Sequence, residues 1–234
     1  MVALANGTLL IGYSEIQRMA PQPTPVYFGQ RLFRYSTDGT LRPTTGLTLP
    51  ESEHFVQATN PSMGGVAYWD LAFGRVMNVR ANSTSVLVGD GTDWTIEERG
   101  MDGVVLRTHR LKRPVVPLGT GDKNAYREAA LTGGTPDQRA IAERMVAEMP
   151  FPRNKPAYRR FEVDAVGRLW MEVYPDPTPK EPTWIRLDPR NLTAVAIVFP
   201  ARFRALAFGE RLVYGVWRDS DDVEHVQLFS LDGL

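Results

Sequence analysis

Short runs in which apolar and polar side chains alternate, each closed by a turn residue, recur along most of this chain, and a period of two admits few folds. The clearest group lies between residues 158 and 199, with runs at 158–164, 168–174, 183–187 and 192–199. Its joins carry turn chemistry. Gly167 accepts a positive φ, Pro175 and Pro177 fix φ and deny a ladder donor, and Asp188-Pro-Arg-Asn191 starts a turn.

The same plan is legible elsewhere. Runs at 75–80, 84–88, 94–98 and 104–109 are joined through Gly89-Asp-Gly-Thr92 and Asp102-Gly103, a strong hairpin signal. Before them come runs at 8–13 and 31–35, a long polar loop between these two, and 40–49 beyond Asp38-Gly39, with an opening strand expected from the first few residues. After them come 203–208, 211–217 and 223–229, where the chain reaches Asp232-Gly233 and the group is one strand short. Strand groups in series predict an all-β fold, a β-propeller of four-stranded antiparallel blades. About four blades are expected within a single domain, over approximately 1–50, 73–113, 157–200 and 201–234. Residues 51–72, rich in Gly, Asn, Pro and Ser, read as a loop whose strands are not defined by the pattern.

One stretch breaks the pattern. Residues 124–131 and 136–148 read as two short helices, inserted over about 122–149. Thr135 is the expected cap, Pro136 fits the first turn, and Ile141, Met145 and Met149 share a face.

Composition removes several classes of function. The 27 basic and 27 acidic side chains cancel, so no overall field steers the chain toward nucleic acid or an anionic membrane. No run approaches the roughly 20 apolar residues that a membrane helix needs. The absence of cysteine excludes disulfides, thiolate metal sites and cysteine nucleophiles, and leaves the compartment open. The first residues lack a basic segment and are broken by Gly7, so they read as strand and turn and not as a signal peptide.

Three stretches resemble bacterial six-bladed β-propellers of the NHL-like and TolB-like kind: Val163-Asp-Ala-Val-Gly-Arg-Leu-Trp170, Val86-Leu-Val-Gly-Asp-Gly91, and the run from Gly209 to Val226 with Val216-Trp-Arg-Asp219. The resemblance covers the last two thirds of the chain well and the first 70 residues in rhythm only. It implies six blades where four groups are visible, hence an N-terminally incomplete copy, and an exported, periplasmic or extracellular setting.

No residue is assigned to catalysis, to a metal or to a cofactor. His54, His109 and His225 sit in different groups without zinc-ligand spacing. Asp219-Ser-Asp-Asp222 lacks the glycine and downstream glutamate of a calcium loop and reads as a polar hairpin tip. Gly89-Asp-Gly91 and Gly119-Thr-Gly121 lack the ending and setting of phosphate loops and read as turns. No Gly-x-Ser-x-Gly elbow occurs. Trp69, Trp94, Trp170, Trp184 and Trp217 are expected to fill space between sheets, and Arg107, Arg110, Lys112 and Arg113 to form a solvated strand face. Two functions stay open. One is a non-catalytic binding or scaffold propeller for a protein, peptide or glycan, with self-association through open blade edges. The other is a propeller hydrolase or lactonase with a metal in its channel, for which Asp164, Asp70 and Asn78 are nominal ligands.

Overall fold

The computed structural model describes residues 2–3, 9–14, 22–27, 30–42, 48–49, 52–60, 65–82, 84–175 and 181–232. Among the described residues, eight strands precede residue 71: β1 (Val2–Ala3), β2 (Leu9–Ser14), β3 (Gln22–Tyr27), β4 (Gln30–Tyr35), β5 (Leu41–Arg42), β6 (Thr48–Leu49), β7 (Glu53–Asn60) and β8 (Gly65–Asp70). Then come β9 (Asn78–Ala81), β10 (Ser85–Gly89), β11 (Thr95–Gly100) and β12 (Val105–Arg110), and the helices α1 (Thr120–Leu131) and α2 (Pro136–Glu148). The remaining strands are β13 (Tyr158–Val163), β14 (Leu169–Val173), β15 (Thr183–Asp188), β16 (Thr193–Val198), β17 (Phe203–Phe208), β18 (Leu212–Arg218) and β19 (Glu224–Ser230).

These strands make an antiparallel series. The first sheet runs β1-β2-β4-β5, with β6 also on β4; the second holds β9 to β12, the third β13 to β16, and the fourth β17 to β19. Short joins force each strand to return beside its predecessor. Gly103 and Gly167 take φ of +86° and +85° at the joins where the sequence called for that freedom. The fourth sheet has three strands among the described residues, as the missing alternation after Asp232 implied.

The sheets stack face to face, and the stacking explains the residue pattern. Leu32 and Leu49 of the first sheet meet Val86 and Val88 of the second. One residue along β10, Leu87 points the other way and joins Trp94 and Ile96 against Tyr158, Phe161, Leu169 and Met171 of the third sheet. Trp170 and Trp184 emerge from the opposite face of that sheet and pack with Phe203, Ala205, Phe208 and Val213 of the fourth. A strand flanked by sheets on both sides needs apolar residues at every position, which is why all of β10 is buried. The outer strands β12 and β16 are mostly exposed.

First strands lie side by side: β1 beside β9, β9 beside β13, and β13 beside β17. Polar clasps join them. Arg80 pairs with Glu162 through both guanidinium branches, and Arg160 donates to the Ala205 carbonyl at 2.8 Å. Radial sheets stacked through their faces, with their first strands gathered along one line, are the blade arrangement of a β-propeller.

Residues 51–72 are not the loop that their composition suggested. They hold β7 and β8, which pair with β3, a strand drawn from the long polar loop of the first group. The helices pack on this side sheet. Phe55, Leu71, Ala72 and Phe73 contact Met145, Val146 and Met149, while Gln57 Nε2 donates to Glu148 at 3.0 Å. Thr135 and Gln138 cap α2 reciprocally, as expected. Ile141 is exposed instead of sharing the buried face, where Val146 replaces it. α1 begins at Thr120, four residues before the expected start, so Gly119-Thr-Gly121 opens a helix and is not a free turn.

Phe208 stacks on Trp170 at 4.4 Å and meets Trp184 at 4.6 Å. Phe208→Ala is therefore expected to lower unfolding free energy by about 3–5 kcal/mol in urea titration. A loss below about 1 kcal/mol would mean that the third and fourth sheets do not depend on that ring.

Candidate functional site

Between the third and fourth sheets two adjoining hollows of about 350 and 310 Å³ share Arg159, Glu172, Arg202 and Phe203. β13 supplies Arg159 and β14 supplies Glu172; Arg202 stands at the entry to β17, whose first residue, Phe203, is buried. Arg204, Arg218 and Glu224 extend the rim along the fourth sheet.

The charges are unevenly matched. Arg160 holds Glu172 at 2.7 Å, and Arg218 holds Glu224 at 2.8 Å. Arg204 reaches Glu224 only at 3.8 Å. Arg159 and Arg202 are exposed and have no carboxylate partner among the described residues. Arg202 is held in place by its backbone, at φ +65°, and by a 2.6 Å bond from Nη1 to the Asp219 carbonyl. Glu172 and Glu224 are engaged, and Glu181, which also lines the larger hollow, is exposed; Arg159 and Arg202 still present guanidinium groups able to form charge-assisted, two-pronged bonds to a carboxylate.

The residues nominated as metal ligands do other work. Asp164, fully buried, accepts from the Val166 and Arg168 amides at 3.1 and 2.9 Å, from Arg168 Nε at 2.6 Å and from the Trp170 indole at 3.0 Å. It locks the turn that opens the third sheet. Asp70 is almost fully exposed, 3.2 Å from His54 Nδ1. Asn78 donates to the Val76 carbonyl at 2.8 Å and to the Arg159 carbonyl at 3.3 Å. No group of three or more metal-ligating side chains occurs among the described residues.

The remaining motifs resolve into structure. Asp219 accepts from the Asp221 and Val223 amides, both at 2.9 Å, and lies 2.7 Å from His225, which makes the 219–222 stretch a self-satisfied hairpin tip. That ring and those amides hold the Asp219 carboxyl below the usual range. Gly89-Asp-Gly91 is a turn whose glycines make room for the next sheet. A Cβ on Gly89 would stand 2.1 Å from the Tyr158 hydroxyl, and one on Gly91, at φ +76°, 2.6 Å from the Tyr158 carbonyl. Trp94, Trp170 and Trp184 are buried, Trp69 and Trp217 partly so. Arg107, Arg110, Lys112 and Arg113 are exposed, with Arg113 lying over the Trp94 ring.

Two charged clusters went unseen in the sequence. Glu53 accepts from Tyr27 Oη at 2.9 Å, from Arg75 Nε at 3.0 Å and from the Arg75 amide at 2.9 Å, which clips the side sheet to the entry of β9. Burial raises its pKa, and these bonds outweigh burial to leave it below the ordinary value. His109 is buried against Glu98 at 3.7 Å. Desolvation pushes its pKa down, Glu98 opposes this and Arg107 reinforces it.

No family model matches the chain, and no curated relative does. Among solved structures it is similar to one described as "the beta-propeller domain of the Trilobed protease from Pyrococcus furiosus", with an open velcro topology. Identity is 9%, the match covers 100% of this chain and 82% of the other, and the TM-score is 0.27. At that score the likeness carries no argument. The propeller description rests on the sheets themselves.

Two outcomes follow from these contacts. Asp164→Ala strands buried donors of Arg168 and Trp170, so unfolding free energy should fall by about 3–5 kcal/mol, with an unchanged Tm as the contrary result. His109 has a folded pKa below its ordinary 6.5, so its neutral form contributes stability that is complete above that value. That contribution is lost as pH falls through 6.5 and then the folded pKa. Chemical denaturation between pH 7.5 and 5 should show this decline, and His109→Gln should flatten it, roughly in proportion to the pKa difference.

Proposed function

We propose that this chain is a non-catalytic binding propeller and that the cleft between its third and fourth sheets takes an acidic peptide segment of a partner protein. One observation carries the reading: Arg159 and Arg202 face an open cleft without carboxylate partners among the described residues, while Glu172 and Glu224 beside them are engaged and the exposed Glu181 is the remaining carboxylate of the lining. Retaining a free guanidinium beside a buried ring suits a ligand that brings carboxylates and an apolar side chain together. Among the alternatives of protein, peptide and glycan, this charge favours the acidic peptide.

The affiliation with six-bladed, NHL-like propellers is part of the same proposal. It is supported by the Asp164 turn, whose carboxylate gathers Val166, Arg168 and Trp170, and by the hairpin at Gly89-Asp-Gly91 that seats the next sheet. The metal-dependent hydrolase reading gains no support from Asp164, Asp70 and Asn78, which are engaged separately.

A fluorescein-labelled poly-glutamate peptide, followed by anisotropy, tests the cleft. Arg159→Ala and Arg202→Gln should each weaken binding by about tenfold, or about 1.4 kcal/mol, and added salt should weaken it further. Equal binding by wild type and the double variant, or preference for a neutral oligosaccharide, would reject the reading.

A further inference from the structure

We propose that Asp219 is a positioning residue for the cleft: its carboxylate folds the tip between β18 and β19 so that its own backbone carbonyl aims the Arg202 guanidinium at the ligand. The inference deepens the cleft reading and rests on it. Asp219 lines neither hollow, so it reaches the ligand only through another group. A residue other than glycine at φ +65°, as Arg202 is, costs backbone energy and persists only where its surroundings fix it. The Arg218 amide donates to the Arg202 carbonyl at 3.3 Å and the Phe203 amide to the Pro200 carbonyl at 3.1 Å, which stitches the turn into β17 to the end of β18. At the far end of the side chain, Nη1 donates to the Asp219 carbonyl at 2.6 Å. Backbone and guanidinium of one arginine are thus tied to two successive residues, Arg218 and Asp219.

The tip sets the direction of that carbonyl. It also accepts the Asp222 amide at 3.2 Å, while the Asp219 amide donates to the Val223 carbonyl at 3.1 Å; with Asp222 at φ +62° this is a tight hairpin loop. One lone pair of the carbonyl is taken by the turn and the other by Arg202. The Asp219 side chain enforces the turn. Oδ1 accepts from the Asp221 and Val223 amides, both at 2.9 Å, and Oδ2 lies 2.7 Å from His225 Nε2. Both carboxylate oxygens are engaged within the tip, so they do not compete with a ligand for Arg202. Nε and Nη2 of Arg202 make no bond among the described residues, and that edge of the guanidinium is the fork that takes a carboxylate through two parallel bonds. An arginine already anchored through Nη1 loses less side-chain freedom on meeting its ligand.

Anisotropy of the fluorescein-labelled poly-glutamate peptide separates positioning from charge. Asp219→Ala and Asp219→Asn remove the same negative charge, and only Asn keeps an oxygen for the Asp221 and Val223 amides. If Asp219 mattered only as a charge, both variants would bind the anionic peptide more tightly than wild type. Positioning predicts that Asp219→Ala binds about two- to tenfold more weakly, the cost of immobilising one long side chain, while Asp219→Asn binds at least as well as wild type. The weakening should recur in an Arg159→Ala background and vanish in an Arg202→Gln background, where no guanidinium is left to aim. Circular dichroism of each variant should match wild type, and a loss caused by unfolding would appear in both backgrounds alike. Unchanged or tighter binding by Asp219→Ala, equal weakening by the two substitutions, or a loss that persists with Arg202→Gln would overturn the inference and leave the cleft reading standing. A wild type that ignores the peptide would remove the cleft reading, and this inference with it.

Discussion

The indole of Trp170 lies against the Phe208 ring at 4.4 Å, while Leu169, one residue earlier, packs toward Tyr158 and Ile96 on the opposite face. Successive side chains of one strand thus reach two different sheets, and the rest of the stack hangs on that alternation. Removing the third sheet would uncover faces on both the second and the fourth. The polar contacts follow from the same geometry. Asp164 closes the turn that sets the register of β14, and its partner Arg168 also donates to the Glu210 carbonyl at 2.5 Å, which carries the restraint into the fourth sheet.

A different logic holds the side sheet and the helices. Here a helix pair packs on β7 and β8, and an aromatic group of Phe73, Tyr126, Phe151 and Tyr174 fills the seam, with Phe73 held at φ +56°. The Glu53 clip then fastens this layer to the entry of β9. Because Lys155 pairs with Asp122 at 2.7 Å, the start of α1 is tied to the segment leading into β13. The helical insertion is therefore a packed layer, and it borders the candidate cleft through Tyr174, which belongs to this seam and also lines the larger hollow.

The blades were legible because their information is local. Alternation, Asp-Gly turns and prolines act within a few residues, and they located the strands of the second, third and fourth sheets to within a few positions. β7 and β8 were missed because Asn60, Pro61, Ser62, Gly64 and Gly65 crowd their connection and gave the whole segment a loop-like composition. Ile141 was misplaced because helical spacing gives a face without saying how far the neighbouring sheet extends beneath it.

By itself, the sequence determined the all-β class, the serial antiparallel groups, the helical interruption and the interior place of the tryptophans, since period and turn chemistry are written in neighbouring residues. Only the tertiary structure decided which charges stay unpaired. Glu172 is taken by Arg160 twelve positions earlier, Arg159 is left without a carboxylate, and Arg202 joins it from across a sheet junction. It also decided that Leu206, Tyr214, Val226 and Leu228 share one exposed face while Phe203 and Phe208 on the same sheet are buried. Pairing and burial depend on what comes near in space, and residues forty or more positions apart carry no mark of that meeting in the order of the chain.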